Sequence, residues 1–140
     1  MSELLERIIA TRGAFWSQQG VRIVKEFSSE LRLSGDRDKL QQLILNLCTN
    51  AVEAMPNGGI LILRVYALAS DIILEISDNG SGIPKGMDIL EPFTTTKPQG
   101  SGVGMYVVQQ IIAAHHGKIT YWSEEGNGTT FRITLPKCLS

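Results

Sequence analysis

The chain has 140 residues, of which 43% are hydrophobic and 19% are charged, and its formal net charge is −1. These values predict one globular domain and exclude both a disordered chain and the basic surface of a dedicated nucleic-acid-binding protein. No apolar run approaches the roughly 18 residues of a membrane span, and no signal-peptide pattern is present. We therefore expect a cytoplasmic domain without membrane contact, from a parent protein that could itself be membrane-anchored.

The first third of the chain predicts a helix, a strand and a second helix. Residues 3–17 are partly helical in pattern, with Gly13 as an interruption, and residues 21–27 alternate apolar and polar side chains as a strand does. Residues 37–55 predict one strong helix because apolar side chains recur at a spacing of about 3.6 residues. Asp36 precedes this helix as its expected cap.

Two hairpins, a long loop and another helix are predicted in the rest of the chain. The segment 79–101 has neither a helical nor a strand period, and loops of that length are usually functional. Residues 103–117 predict a helix that Gly117 stops. The remaining alternating segments pair in chain order as hairpins: 60–68 with 71–78, and 118–123 with 129–136. This order of elements predicts an α+β fold, with helices on one face of a mixed, mainly antiparallel sheet.

One edge of the helix 37–55 carries three polar side chains. Asn46, Asn50 and Glu53 fall within an arc of about 60° when each residue turns the helix by about 100°. Two interpretations remain open. The three side chains are solvated, or the amides point into a cleft, where an Asn carbonyl is a suitable ligand for Mg²⁺.

The motif DNGSG at residues 78–82 follows the end of a predicted strand. A carboxylate such as that of Asp78 accepts hydrogen bonds and donates none, so it could accept one from an exocyclic amine such as adenine N6. The neighbouring glycines would let the backbone lie against a flat ring. The alternative is an ordinary tight turn, because Asp, Asn and Gly all favour turns.

The second glycine-rich motif, GSGVG at residues 100–104, opens the helix 103–117. Free backbone N–H groups at a helix N-terminus form an anion site, and glycines allow a phosphate to approach closely. Lys97 lies just upstream and could reach a phosphate, or it is a solvated loop lysine. His115 and His116 have no partner at metal-ligand spacing, which predicts structural or solvated histidines, and the stretch 126–129 reads as a hairpin turn.

Taken in order, four segments resemble the nucleotide-binding motifs of sensor histidine kinases. They are LILNLCTNAVEAM (43–55), ISDNGSGIP (76–84), EPFTTTKPQGSGVGM (91–105) and GNGTTF (126–131). They correspond to the N, G1, F, G2 and G3 boxes of that family and cover about residues 36–136. The resemblance implies a Bergerat-type ATP fold, a two-layer α/β sandwich in which Mg²⁺ and ATP bind between the helices beneath a lid.

The family pattern assigns roles to individual positions. By this resemblance Asn50 ligates Mg²⁺, Asn46 lines the site one turn earlier, Asp78 reads adenine N6 and Lys97 belongs to the lid. Asn46, Asn50 and Lys97 are thereby the expected catalytic residues. The residues expected at the nucleotide are Asn46, Asn50, Glu53, Asp78, Gly80, Gly82, Ile83, Phe93, Thr95, Thr96, Lys97, Gly100, Ser101, Gly102, Val103, Gly104, Met105 and Thr129.

Two positions on the predicted helix distinguish this chain from parts of the wider superfamily. Gyrase-like, Hsp90-like and MutL-like ATPases commonly carry a Glu at the position of Asn46, where it activates water. An amide cannot act as a general base, so Asn46 disfavours hydrolysis and fits a kinase. Glu53 replaces the Lys or Arg of many histidine kinases, a variant that occurs in the nitrogen-regulator-like branch.

The phosphoacceptor motif of that family, a His followed by an acid, does not occur in the chain, because no His precedes residue 115. We expect residues 1–20 to be a linker remnant or N-terminal helix and residues 21–140 a single, monomeric ATP-binding catalytic domain. It would donate the γ-phosphoryl group to a histidine on a separate or missing dimerisation domain and so feed a response regulator receiver domain. The alternatives are a nucleotide-binding module, such as a pseudokinase or sensor, or an ATPase or serine kinase of the same superfamily.

Overall fold

A computed structural model describes residues 2–27, 35–82, 103–124 and 126–136. Within these ranges the chain forms three α-helices and five strands, in the predicted order. They are α1 (Ser2–Gln18), β1 (Val21–Phe27), α2 (Arg37–Glu53), β2 (Gly59–Leu68), β3 (Asp71–Asp78), α3 (Val103–Ala114), β4 (Lys118–Glu124) and β5 (Gly128–Pro136).

The five strands form one mixed sheet in the order β1-β2-β3-β5-β4. β1 and β2 are parallel and are joined through α2, whereas every other neighbouring pair is antiparallel. Both predicted hairpins, β2–β3 and β4–β5, are present. The expected α+β fold with a mainly antiparallel sheet is therefore confirmed.

The hydrophobic core lies between the helices and one face of the sheet. Alternate residues of the strands point into it, because successive side chains of a strand lie on opposite faces. α2 contributes Leu43, Ile44 and Leu47, which are fully buried at the predicted helical spacing. The strand residues of this core are Val21, Leu61, Leu63, Val65, Ile72, Leu74, Ile76, Phe131, Ile133 and Leu135.

α1 packs onto the same core, and Trp16 is only 4% exposed there. The predicted interruption at Gly13 is wrong, since the helix runs through it without a break. A glycine inside a helix costs about 1 kcal/mol relative to alanine. Burial of Leu5, Ile8 and Trp16 outweighs that cost, because one buried large apolar side chain is worth about 1.5–3 kcal/mol.

Asp36 caps α2 as predicted. Its side chain accepts a hydrogen bond from the backbone N–H of Lys39, and its carbonyl accepts one from Leu40. The helix ends at Glu53, two residues before the predicted limit, because Ala54 forms the C-cap.

The C-terminal end of α3 differs from the prediction that Gly117 stops the helix. The helix ends at Ala114, and His116 adopts a positive φ of 57°. The N–H of Gly117 bonds to the carbonyl of Ile112, and the N–H of His116 bonds to that of Ala113. These two bonds define a Schellman motif, in which His116 occupies the left-handed position that is usually glycine.

The face of the sheet opposite the helices carries a polar network that spans four strands. Glu75 of β3 is 7% exposed, and its carboxylate accepts hydrogen bonds from Arg64 Nη1 and from Tyr66 OH, both at 2.9 Å. Arg64 also pairs with Glu26 of β1, and Arg132 of β5 donates to Tyr66 OH at 3.0 Å. We call Glu26, Arg64, Tyr66, Glu75 and Arg132 the open-face network.

The same open face carries Trp122 of β4, which is 55% exposed. Its neighbour Tyr121 points the other way and packs against Phe131 in the core. None of the helices in the described ranges combines the length and the apolar character that crossing a bilayer requires.

Candidate functional site

Asp78 is the last residue of β3 and lies opposite Thr129 of β5 in the sheet register. Its Oδ1 accepts a hydrogen bond of 2.9 Å from the backbone N–H of Gly80. Burial raises the pKa of Asp78, and hydrogen bonds from the backbone of Gly80 and Thr129 oppose this rise. The half-buried carboxylate therefore sits in a position where a matching donor would stabilise its charged, acceptor-only form.

Three elements hold the turn that follows Asp78. The Asn79 side chain accepts a hydrogen bond of 2.8 Å from Ile60 N at the start of β2. Ser81 N donates to the carbonyl of Ala54, the C-cap of α2, at 3.1 Å. Ser81 O accepts from Gly126 N in the β4–β5 turn at 2.7 Å. The DNGSG motif is thus fixed against α2, β2 and the second hairpin.

Two glycines are needed for this close packing. A Cβ at Gly80 would overlap the carbonyl of Ala54, and a Cβ at Gly128 would overlap the carbonyl of Asp78. Gly128 also has a φ of 102°, which residues with side chains rarely adopt. The stretch 126–129, which sequence reasoning alone leaves as a hairpin turn, therefore forms one wall of the Asp78 site.

The predicted polar edge of α2 approaches the same turn. Asn46 and Asn50 are half-buried, whereas Glu53 is exposed. Asn50 lies one helical turn before Ala54, the residue that binds Ser81. The structure thereby brings Asn50 and Asp78 to the same end of the sheet. Asn46 itself lines a surface depression of about 470 Å³, together with Arg12 of α1 and with Asp38, Gln41, Gln42, Leu45 and Thr49 of α2.

α3 packs beside α2 in the layer of helices. Its C-terminal end meets the N-terminal end of α2, where Asp36 N donates to His115 Nε2 at 3.0 Å. The first turn of α3 is therefore directed toward the later turns of α2, which carry Asn50. Backbone N–H groups of a first helical turn have no partner within the helix, so they are suited to bind an anion.

Of the other predicted site residues, the structure describes some and leaves the rest outside the described ranges. Gly82 is described and has a φ of 75°, and Val103, Gly104 and Met105 belong to the first turn of α3. The predicted positions outside the described residues are Ile83, Phe93, Thr95, Thr96, Lys97, Gly100, Ser101 and Gly102.

Two side chains of α2 supply oxygen donors that fit Mg²⁺. Among the described residues no group of three or more His, Cys, Asp and Glu side chains could hold a metal ion. Mg²⁺ takes oxygen ligands and is usually bound through one or two protein groups together with phosphates and water. The half-buried amides of Asn46 and Asn50 are oxygen donors of that kind.

Sequence reasoning missed the anchoring roles of Asn79, Ser81 and His115. Asn79 and Ser81 lie inside a recognised motif, but their partners Ile60 and Ala54 are distant in the chain. No local periodicity indicates such pairs.

Comparison with known proteins identifies the family of this chain. The family model described as histidine kinase-, DNA gyrase B- and HSP90-like ATPase matches residues 35–138. Sporulation kinase A of Bacillus subtilis is 37% identical over 139 residues, which are 98% of this chain and 22% of that kinase. The chain thus spans about a fifth of the length of this relative.

Solved structures give the same result. The catalytic domain of histidine kinase ThkA superposes with a TM-score of 0.87 at 28% identity, covering 98% of this chain and 92% of that chain. Full-length ShkA in complex with AMPPNP gives a TM-score of 0.86 at 26% identity, covering 99% of this chain and 30% of that chain. The chain therefore belongs to the histidine kinase-, DNA gyrase B- and HSP90-like ATPase family. Within that family, it is similar over nearly its whole length to the catalytic domain of a histidine kinase.

Proposed function

We propose that this domain binds Mg²⁺ and ATP and donates the γ-phosphoryl group to a histidine on a separate dimerisation domain. The phosphoryl group then passes to the receiver domain of a response regulator. The observation that carries the proposal is the fixed, half-buried Asp78 carboxylate at the end of β3, next to the helix that bears Asn46 and Asn50.

In this proposal, different described residues bind the adenine base and the phosphates of the nucleotide. Asp78 accepts the hydrogen bond of the exocyclic amine and so selects adenine. Asn46 and Asn50 present amide oxygens at the phosphate end, together with the first turn of α3. Mg²⁺ supplies charge neutralisation on the phosphate oxygens when it is bound. Catalysis in this arrangement consists of positioning and electrostatic stabilisation.

Asn46 supports a kinase over a hydrolase. The half-buried amide stands where water-activating members of the superfamily carry a Glu. An amide has no basic lone pair of suitable pKa, so water is a poor acceptor here. The imidazole of an acceptor histidine is itself a nucleophile and needs no such base.

Mixing the domain with a histidine-bearing dimerisation domain and γ-labelled ATP tests the proposal. We expect label on the acceptor domain that is lost in acid and retained in base, as phosphohistidine is. An acceptor with its histidine replaced by glutamine and a donor carrying Asp78→Asn are the matched controls. Magnesium-dependent ATP binding without transfer to any competent acceptor would instead establish a nucleotide-binding module.

A further inference from the structure

His115 is buried at the end of α3, with only 4% of its surface exposed. Its Nδ1 lies 2.8 Å from the carbonyl oxygen of Ile111, one turn earlier in the same helix. Its Nε2 lies 3.0 Å from the backbone nitrogen of Asp36, which precedes α2. The ring therefore makes one contact within its own helix and one with a segment 79 positions away.

The two hydrogen-bond partners of His115 determine which ring nitrogen carries the proton. A backbone N–H only donates, so Nε2 must accept the hydrogen bond from Asp36. A carbonyl oxygen only accepts, so Nδ1 must carry the proton and donate to Ile111. His115 is thus a neutral imidazole whose two nitrogen atoms are both satisfied.

The contact falls at the residue that starts α2. Asp36 is the N-cap of that helix, and its side chain is committed to Lys39 N. The ring also packs against bare backbone, since a Cβ at Gly35 would lie 2.8 Å from Cδ2 of His115. The position at which α2 begins is therefore set by the position at which α3 ends.

We propose that His115 is a positioning residue for the nucleotide site, an inference that rests on the proposed function. α2 carries Asn46 and Asn50, and α3 begins at the glycine motif expected at the phosphates. His115 joins these two walls at the N-cap of α2, at the opposite end of that helix from Asn50. From Asp36 to Asn50 the helix extends about 21 Å, so a small tilt at the N-cap displaces the Asn50 amide appreciably.

Nucleotide affinity of three variants, measured by calorimetry with Mg-AMPPNP at a temperature where all are folded, tests this inference. We expect His115→Leu to weaken binding about tenfold, in the range found for residues that act at a distance. His115→Gln places an amide oxygen near the position of Nε2, restores an acceptor for Asp36 N–H, and should keep affinity within about twofold of the parent. His116→Asn, at the exposed neighbouring histidine, should have no effect.

Two further measurements separate positioning from general stability. Ile73→Ala removes a buried side chain from the open face of the sheet, opposite the helices, and we expect it to leave affinity unchanged in the folded protein. Long-range proton–nitrogen NMR spectra should show the Nδ1–H tautomer for His115 in the parent protein.

Unchanged affinity in folded His115→Leu, or an Nε2–H tautomer, would overturn the inference. Equal losses in His115→Leu and Ile73→Ala would also overturn it, because the effect would then follow stability alone. If the parent chain binds no nucleotide, the proposed function itself fails and the inference fails with it. Binding by the parent with no effect of His115→Leu removes only the positioning role.

Discussion

At the scale of single residues, the half-buried carboxylate of Asp78 distinguishes this site from an ordinary turn. Its Oδ1 is held by Gly80 N, while burial disfavours its charge. Partial burial destabilises the charged form of a carboxylate, and a hydrogen-bond donor such as an amine stabilises that form again. We therefore propose that Asp78 contributes to ligand binding more than to folding.

Asp78→Asn should reduce ATP affinity by about tenfold to a hundredfold, because the new amide opposes a donor to the exocyclic amine. The amide oxygen can still accept from Gly80 N, so we expect the free energy of unfolding to change little. Calorimetric titration with ATP and urea denaturation measure the two effects. Asp71→Asn, at the other end of β3, is the matched control, and equal affinity in the Asp78 variant would make Asp78 a turn residue only.

The pH dependence of Asp78 should have opposite signs for stability and for binding. Burial raises the pKa of Asp78 in the folded state above its unfolded value, so the folded protein holds this proton more tightly. The stability contributed by protonation is present below the unfolded pKa and is lost as pH rises through the folded pKa. ATP affinity should instead rise with pH over that window, because the charged carboxylate is the better acceptor.

Comparison of the parent protein with Asp78→Asn between about pH 4 and pH 7 isolates these trends. Denaturation curves report the difference in stability, and calorimetry reports the difference in affinity. If stability and ATP affinity changed in the same direction with pH, the role of Asp78 as the charged acceptor for ATP would be contradicted.

Asn46→Glu should raise the rate of ATP hydrolysis by the domain. The new carboxylate supplies a general base at the position where related ATPases carry one, an effect worth about 10²–10⁴ in rate. Phosphate release is the measurement, with Asn46→Gln as the control for size and polarity. Brisk hydrolysis by the unaltered chain would refute this role of Asn46.

At the scale of elements, helix ends rather than helix interiors fix the site. The C-cap of α2 binds Ser81, its N-cap binds His115, and the end of α3 is a Schellman motif. Each of these ends places a loop or a neighbouring helix. Their hydrogen bonds explain why α2 and α3 keep one relative position.

His116→Gly should stabilise the domain by about 0.5–1 kcal/mol. A left-handed conformation costs a residue with a side chain roughly 1–2 kcal/mol, and the entropy of glycine in the unfolded chain cancels part of this gain. The unfolding free energy from urea denaturation measures the change. A lower stability would show that His116 makes a favourable contact that offsets its backbone strain at φ 57°.

At the scale of the whole molecule, the open-face network ties four of the five strands together. Glu75 lies at its centre and contacts Arg64, Tyr66 and Arg132, whose Nε is 3.6 Å from the carboxylate. Paired arginines on both sides offset the cost of burying this carboxylate. The network thus fixes strand register on the face of the sheet opposite the three described helices.

Glu75→Ala should lower the free energy of unfolding by about 1–3 kcal/mol, because it removes the acceptor of Arg64 Nη1 and Tyr66 OH and the carboxylate that faces Arg132. Glu26→Ala removes an exposed partner of the same network and should cost less than about 1 kcal/mol. Denaturation in urea measures both variants. A similar cost for the two would show that burial of Glu75 is unimportant.

The fold was largely predictable because its signals are local. Alternation and short connections define the two hairpins, helical spacing defines α2, and Asp36 marks its start. Gly13 was misjudged because a local penalty was outweighed by distant packing of Trp16. The helix end at His116 was missed because glycine is the usual residue in that conformation.

The candidate site was predictable only where its residues form motifs. Asp78, Asn46 and Asn50 stand out by type and spacing, although their roles at a nucleotide stay predictions. The bond from Arg132 to Tyr66 joins residues 66 positions apart, and that between Asp36 and His115 joins residues 79 apart. Such pairs depend on the finished topology, which no single segment of sequence contains.

The contrasting burial of the two tryptophans gives the domain built-in optical probes. Trp16 emits from the core beneath α1, whereas Trp122 emits from the solvated open face of β4. Replacing either one by phenylalanine leaves a single tryptophan. The emission of Trp16 then reports whether α1 is docked on the core. Quenching of Trp122 reports the binding of any molecule that covers the open face. The two surfaces can therefore be followed separately without an added label.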